Sequence, residues 1–212
     1  MVLPAFYPIV DTTACERRGC APVVLAEALL EAGVRLLQYR RKDVFTRAAF
    51  EEASTIAALC RGAGATLIVD DRADIARLLE AGVHLGQDDL LPAAARRVLG
   101  DSLPLGFSTH NEAQLRDAAT EPADYLALGP IFRTASKDRP DAEVGLEGLR
   151  RWRPLASRPL VAIGGIAREN ARAVLAAGAD SVAVIADLFP ERCDRISLLR
   201  RAEEWLSVTT VL

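Results

Sequence analysis

The segment Gln38-Tyr39-Arg40-Arg41-Lys42 carries the clearest chemistry in this chain. In an extended backbone Gln38, Arg40 and Lys42 share one face, with Tyr39 and Arg41 on the other. Two cations and an amide donor on one face suit a polyanion such as pyrophosphate; on its own, the same pattern also fits surface salt-bridging. Two acidic pairs follow, Asp70-Asp71 and Asp88-Asp89. If Asp71 and Asp89 end neighbouring strands, their carboxylates converge as they would around a hard cation. Mg2+ commonly takes one or two carboxylates plus waters and substrate phosphates. Each aspartate alone reads equally well as a helix N-cap; the pair beside a basic segment favours the metal. Gly164-Gly165 and Ile185-Ala186 each stand between an apolar run and a helix or turn. Backbone N–H groups at such places cradle phosphates, although glycines there also serve tight turns. The two histidines, His84 and His110, have no zinc-ligand spacing with the cysteines. They read as loop-fixing hydrogen bonders, with acid–base work a minority reading.

These groups need a scaffold that brings them together. Apolar runs at 6–10, 34–39, 65–69, 83–85, 103–107, 125–128, 160–163 and 181–185 predict strands. Helical patterns at 23–31, 47–61, 75–80, 92–99, 112–119, 147–152, 168–177 and 195–206 fall between and after them. Strands alternating with helices imply parallel pairing through crossover helices. Eight repeats of about 26 residues favour a closed (β/α)8 barrel near the lower size limit of that fold. An open doubly wound sheet is the competitor, weakened by the lack of Gly-x-Gly-x-x-Gly after the first strand. Leu30–Val34 and Leu79–Val83 share the wording Leu-Glu-Ala-Gly-Val, and Leu175–Ala179 is a looser copy. Each glycine is expected to close a helix in a left-handed conformation. In a barrel, active sites form where strands end, and the segments that follow strands two to eight are the candidates. The long polar stretch from Phe132 to Gly145 after the sixth strand is read as a binding loop or lid.

The 212 residues fit one domain, 1–212. With 26 basic and 29 acidic residues the net charge is −3, which argues against a nucleic-acid partner. Cysteines 15, 20, 60 and 193 form no Cys-x-x-Cys and suit a reducing cytosol. No basic n-region with an apolar core opens the chain, and no run approaches the ~20 apolar residues of a membrane span. The expectation is a cytoplasmic enzyme of small-molecule substrates, with no membrane partner and with homo-oligomerisation left open.

In this order and at these spacings the motifs resemble the thiamine phosphate synthase family. They are Gln38-x-Arg40-x-Lys42, Asp70-Asp71, Gly82-Val-His84-Leu-Gly86-Gln87-Asp88-Asp89, Ser108-Thr-His110, Gly129-Pro-Ile-Phe-Arg-Thr134-Ala-Ser136-Lys137, Gly145-Leu146-Glu147-Gly148-Leu149 and Ala162-Ile-Gly164-Gly165-Ile166. The resemblance runs from about Tyr7 to Leu188. It implies a (β/α)8 barrel, a transferase that joins 4-amino-2-methyl-5-(diphosphooxymethyl)pyrimidine to a thiazole (carboxy)ethyl phosphate. Pyrophosphate is released and thiamine phosphate formed. It assigns Gln38, Tyr39, Arg40, Arg41, Lys42, Asp70, Ser108 and Lys137 to the pyrimidine diphosphate, with Arg40, Lys42 and Lys137 catalytic. Asp71 and Asp89 go to Mg2+, and Thr134, Ala135, Ser136, Gly165, Ile185 and Ala186 to the thiazole phosphate. Three positions depart from the family pattern. Asp70 replaces its usual Asn, Arg41 an often acidic residue, and Ala186 its usual Ser. A related thiazole tautomerase would need the thiazole phosphate cradle alone, and a catalytically idle binder of thiamine precursors is a third reading. The presence of Asp71, Gln87, Asp89 and Lys137 favours the synthase.

Overall fold

A computed structural model describes residues 2–133 and 142–210. Its strands are β1 (Phe6–Asp11), β2 (Leu36–Arg40), β3 (Thr66–Asp70), β4 (Gly82–Leu85), β5 (Leu105–Thr109), β6 (Tyr125–Leu128), β7 (Leu160–Ile163) and β8 (Ser181–Val184). All pair in parallel in chain order, and β1 pairs with β8 to close the ring. The expected (β/α)8 barrel is therefore the observed fold. The helices are α1 (Thr12–Arg17), α2 (Pro22–Ala32), α3 (Arg47–Gly62), α4 (Ala73–Leu79), α5 (Pro92–Leu99), α6 (Glu112–Ala118), α7 (Gly145–Trp152), α8 (Arg168–Ala176) and α9 (Arg195–Thr209). None is long and apolar enough to cross a membrane.

Strand alternation separates two cores. Leu36, Ile68, Tyr125, Val161 and Ala183 face inward with Tyr7 and Ile9 and fill the barrel. Their neighbours Leu37, Tyr39, Val69, Leu126, Ala162 and Val182 face outward into the layer between strands and helices. On β2 this alternation continues to the strand's end, so Gln38 and Arg40 project on the barrel side and Tyr39 on the helix side.

The helices start where polar groups satisfy their free N–H donors. Asp11 caps α1 through Ala14 N, Thr46 caps α3, Asn111 caps α6 and Asp194 caps α9. Pro22 and Pro92 open α2 and α5 from positions that need no donor. The N-cap positions of α4 and α5 are Arg72 and Leu91, and neither makes a side-chain cap. Asp70, Asp71, Asp88 and Asp89 are thus not the caps of these helices.

Three local expectations need correction. The first unit contains a helix, α1, that carries no apolar periodicity in the sequence. Strand β5 begins at Leu105, not Leu103: Pro104 has no N–H to give the ladder, so pairing starts after it. The twin pentapeptides also diverge. Gly33 does close α2 at φ 108°, and Gly178 after α8 lies at φ 110°. At the second copy the left-handed residue is Glu80, φ 55°, and Gly82 has already entered β4. Gly82 is there because of close approach: a Cβ would stand 2.5 Å from Ile68 Cδ1 and 2.7 Å from the Pro104 carbonyl.

Candidate active site

The C-terminal ends of β1 to β5 gather charge at the barrel mouth. Arg40, last residue of β2, pairs with Asp11 at the end of β1 and lies 3.4 Å from Asp70 at the end of β3. Lys42 Nζ is 2.8 Å from Asp70 Oδ2 and 2.5 Å from Asp71 Oδ2. Burial alone would lower the pKa of this ammonium, but the Asp70 and Asp71 carboxylates outweigh it and hold the group above its ordinary value. Asp71 occupies a left-handed backbone conformation, φ 62°, which aspartate tolerates better than most residues. Its N–H donates to the His84 carbonyl of β4 at 2.8 Å, which fixes the corner between β3 and β4.

Asp89 is held by a tight turn: Gly86 N–H donates to its Oδ2 at 2.7 Å. Its pKa is raised, first by burial and further by the adjacent Asp71 carboxylate, against the lowering effect of that N–H. The two expected metal residues therefore stand in mutual reach and repel each other as anions. Hard oxygen donors in such a pair fit a divalent cation. No group of three or more histidine, cysteine, aspartate or glutamate side chains converges as a metal site among the described residues.

Below these charges a hydrogen-bonded chain crosses the barrel. Gln38 Nε2 donates to Tyr7 Oη at 3.1 Å, Tyr7 and Tyr125 hydroxyls meet at 2.9 Å, and Tyr125 reaches His84 Nδ1 at 3.1 Å. His84 Nε2 then meets Ser108 Oγ at 2.9 Å. Burial drives both tyrosine pKa values upward, so both rings stay neutral donors and acceptors. Gln87 Nε2 donates to the Ser108 carbonyl at 2.6 Å. Gln38 and Ser108 are thereby joined to one network from opposite sides of the barrel. His110 fixes a loop as expected, bonding the Gly129 carbonyl through Nδ1 at 2.7 Å. His84, read as a loop-fixing hydrogen bonder, instead lies inside β4 and bonds Tyr125 and Ser108.

The side chains of Tyr39 and Arg41 lie apart from this group. Tyr39 Oη donates to Glu52 of α3 at 2.7 Å, and Arg41 stands 3.9 Å from the same carboxylate. Any role for these two residues at the mouth falls to their backbone. Sequence reasoning missed Asp11, Tyr7 and Tyr125. An acidic residue ending the first strand was the available signal for Asp11; the tyrosines carry none until the ring closes.

Across the mouth, the β7 and β8 ends offer backbone in place of charge. Gly164 and Gly165 have φ 98° and 64°. A Cβ on Gly165 would stand 2.6 Å from the Arg133 carbonyl and 2.7 Å from Phe132 Cβ. The 131–132 segment is laced onto this loop through Ile131 N–H to Ile163 O, 2.8 Å, and Phe132 N–H to Gly164 O, 3.0 Å. Ile185 and Ala186 follow β8, Ala186 opening a 3₁₀ turn to Leu188. Of the expected phosphate residues, Gly165, Ile185 and Ala186 sit on these adjacent strand ends. Thr134, Ala135, Ser136 and Lys137 lie outside the described residues.

A closed (β/α)8 barrel whose mouth gathers cationic and carboxylate side chains opposite a glycine-built backbone loop has the build of a small-molecule enzyme. The family model for thiamine monophosphate synthase matches residues 6–188. A thiamine-phosphate synthase of Koribacter versatilis is 46% identical over 209 residues, 97% of this chain and 96% of that one. Another from Chloroflexus aurantiacus is 46% identical over 83% of this chain and 82% of its own length. Among solved structures, a thiamine phosphate pyrophosphorylase from Pyrococcus furiosus superposes with a TM-score of 0.83 at 32% identity, covering 97% of this chain and 95% of that one. The chain belongs to the thiamine monophosphate synthase family, a family of transferases.

Proposed function

We propose that this chain joins 4-amino-2-methyl-5-(diphosphooxymethyl)pyrimidine to a thiazole (carboxy)ethyl phosphate, releasing pyrophosphate and forming thiamine phosphate. One observation carries the reading in detail: Arg40 and Lys42 converge with Asp70, Asp71 and Asp89 at adjacent strand ends, opposite a glycine-built cradle. Breaking the methylene–oxygen bond leaves positive charge on the pyrimidine methyl group and concentrates negative charge on the diphosphate. Arg40 and Lys42 stabilise that growing charge from fixed positions, which is where electrostatic catalysis is strongest. Lys42 is held by carboxylates before substrate arrives, so the diphosphate must compete for it. Ser108, oriented by His84, presents its hydroxyl to the same substrate. The thiazole nitrogen then attacks the methylene carbon; no protein nucleophile is required. Asp71 and Asp89 would hold Mg2+, which when bound supplies further charge neutralisation at the diphosphate. Lys137 is assigned to the same diphosphate, and Thr134, Ala135, Ser136, Gly165, Ile185 and Ala186 to the thiazole phosphate. Four free cysteines suit the reducing cytosol in which we place the reaction.

The test is pyrophosphate release with both substrates and Mg2+ present, matched mole for mole by thiamine phosphate. A chain that isomerises a thiazole but releases no pyrophosphate is a tautomerase. One that binds the precursors without turnover is the idle binder.

A further inference from the structure

Behind the β7–β8 side of the mouth, a charge network holds the 3₁₀ turn Ala186–Leu188. Its centre is Asp187, the residue after Ala186. Arg168, first residue of α8 and three after Gly165, donates to Asp187 Oδ2 from Nε at 2.9 Å and from its backbone N–H at 3.3 Å. The Asp187 carbonyl accepts from Arg201 Nη1 at 2.8 Å and from the Trp205 indole N–H at 3.3 Å, both on α9. Arg201 Nη1 also reaches the Phe189 carbonyl at 3.2 Å. Glu204 accepts from Arg201 Nε at 3.2 Å and pairs with Arg168.

The Arg168–Asp187 pair is half-buried. One carboxylate ties the segment after Gly165 to the turn beginning at Ala186. Ala186 has no side-chain donor, so phosphate affinity on this side depends on where backbone N–H groups are held. We propose that Asp187 is a positioning residue: by clasping Arg168 it sets the spacing between the Gly165 and Ala186 backbone donors, and with it the affinity for the phosphate ester of the thiazole substrate. The clasp rests on the assignment of that phosphate to these donors made above.

Asp187→Asn and Arg168→Gln test it. Each should raise KM for the thiazole phosphate about 10-fold, the low end of what removing a supporting partner of a bound group costs. KM for the pyrimidine diphosphate and kcat at saturation should stay within about twofold. Calorimetry with the thiazole phosphate and the corresponding thiazole alcohol should show the phosphate's advantage shrinking while alcohol binding holds. Arg168→Lys should recover most of the affinity, and the double variant should lose no more than either single one. Equal rises in both KM values, unchanged KM values, equal weakening of phosphate and alcohol, or additive losses would overturn the clasp. If Asp187→Asn fails to fold, Arg168→Gln carries the test, since it leaves the Arg201 and Trp205 contacts in place. A wild type that releases no pyrophosphate counts against the proposed function; the phosphate–alcohol comparison then decides the clasp on its own.

Discussion

The two sides of this barrel mouth use opposite means. Around β1 to β5, the proposed site is built of long ionic side chains that meet one another: Lys42 lies between Asp70 and Asp71, and Arg40 between Asp11 and Asp70. Around β7 and β8 the proposed site is built of backbone, shaped by glycines and by a turn held from α8 and α9. A side-chain site tolerates small backbone shifts but not changes of charge. A backbone site would tolerate the loss of a hydroxyl, such as that absent at Ala186, but not an added methyl group. Substitutions on the two sides should therefore fail in different ways.

The largest effect is expected at Asp89. Asp89→Asn should lower kcat/KM by about 10²-fold through loss of the cation, with partial rescue by excess Mg2+. Stability should move the other way. The Asp89 pKa is raised by burial and by Asp71, so its contribution to stability is present at low pH and is lost as pH rises from the ordinary carboxylate value through the folded one. At neutral pH the ionised group is a net cost, and metal-free Asp89→Asn should melt above metal-free wild type. A lower melting temperature together with full activity at low Mg2+ would remove Asp89 from the metal site.

Gly165→Ala probes the opposite side. A Cβ 2.6 Å from the Arg133 carbonyl, on a backbone at φ 64°, should cost about 1–3 kcal/mol of stability. It should also raise KM for the thiazole phosphate about 10-fold, as misplacing a bound group's supports does, and leave the pyrimidine diphosphate alone. Steady-state kinetics varying each substrate separates the two; a rise confined to the pyrimidine diphosphate would reverse the assignment of sides.

Smaller effects are expected where charge competes with substrate. Asp70→Asn removes a carboxylate that holds Lys42 and Arg40 away from an incoming diphosphate. KM for the pyrimidine diphosphate should fall about two- to threefold, the worth of a weak ion pair. A marked loss of Mg2+ affinity in this variant would make Asp70 a metal ligand instead. Arg41→Gln should change either KM by less than about twofold, the worth of a weak ion pair, because its side chain lies toward Glu52. A large effect there would mean that the Glu52 contact breaks when substrate binds.

The same contrast explains what was legible in the residues alone. Parallel strands buried on both faces read as continuous apolar runs, so all eight appeared, with small shifts such as that of β5 around Pro104. Helix α1 did not, because Thr12–Arg17 is only six residues long and has no apolar stripe; its only marks in the sequence are the Asp11 cap and the left-handed Gly19 just beyond its end. The ionic half of the site was visible because alternation alone puts Gln38, Arg40 and Lys42 on one face. Asp11, Tyr7 and Tyr125 were not, since their meetings are tertiary: β1 lies against β2, which sets Asp11 beside Arg40, and the closed ring turns Tyr7 of β1 and Tyr125 of β6 toward each other across the interior. Two identical pentapeptides taking different backbones at Gly33 and Gly82 mark the same limit: the close approach of Ile68 and Pro104 is tertiary information.

The two-sided mouth is tested most directly by titrating each substrate alone, with and without Mg2+, in a calorimeter. Chelating Mg2+ is expected to weaken binding of the pyrimidine diphosphate by about 10-fold or more and to leave the thiazole phosphate unchanged. Equal dependence of both substrates on Mg2+, or dependence of neither, would contradict the two-sided mouth.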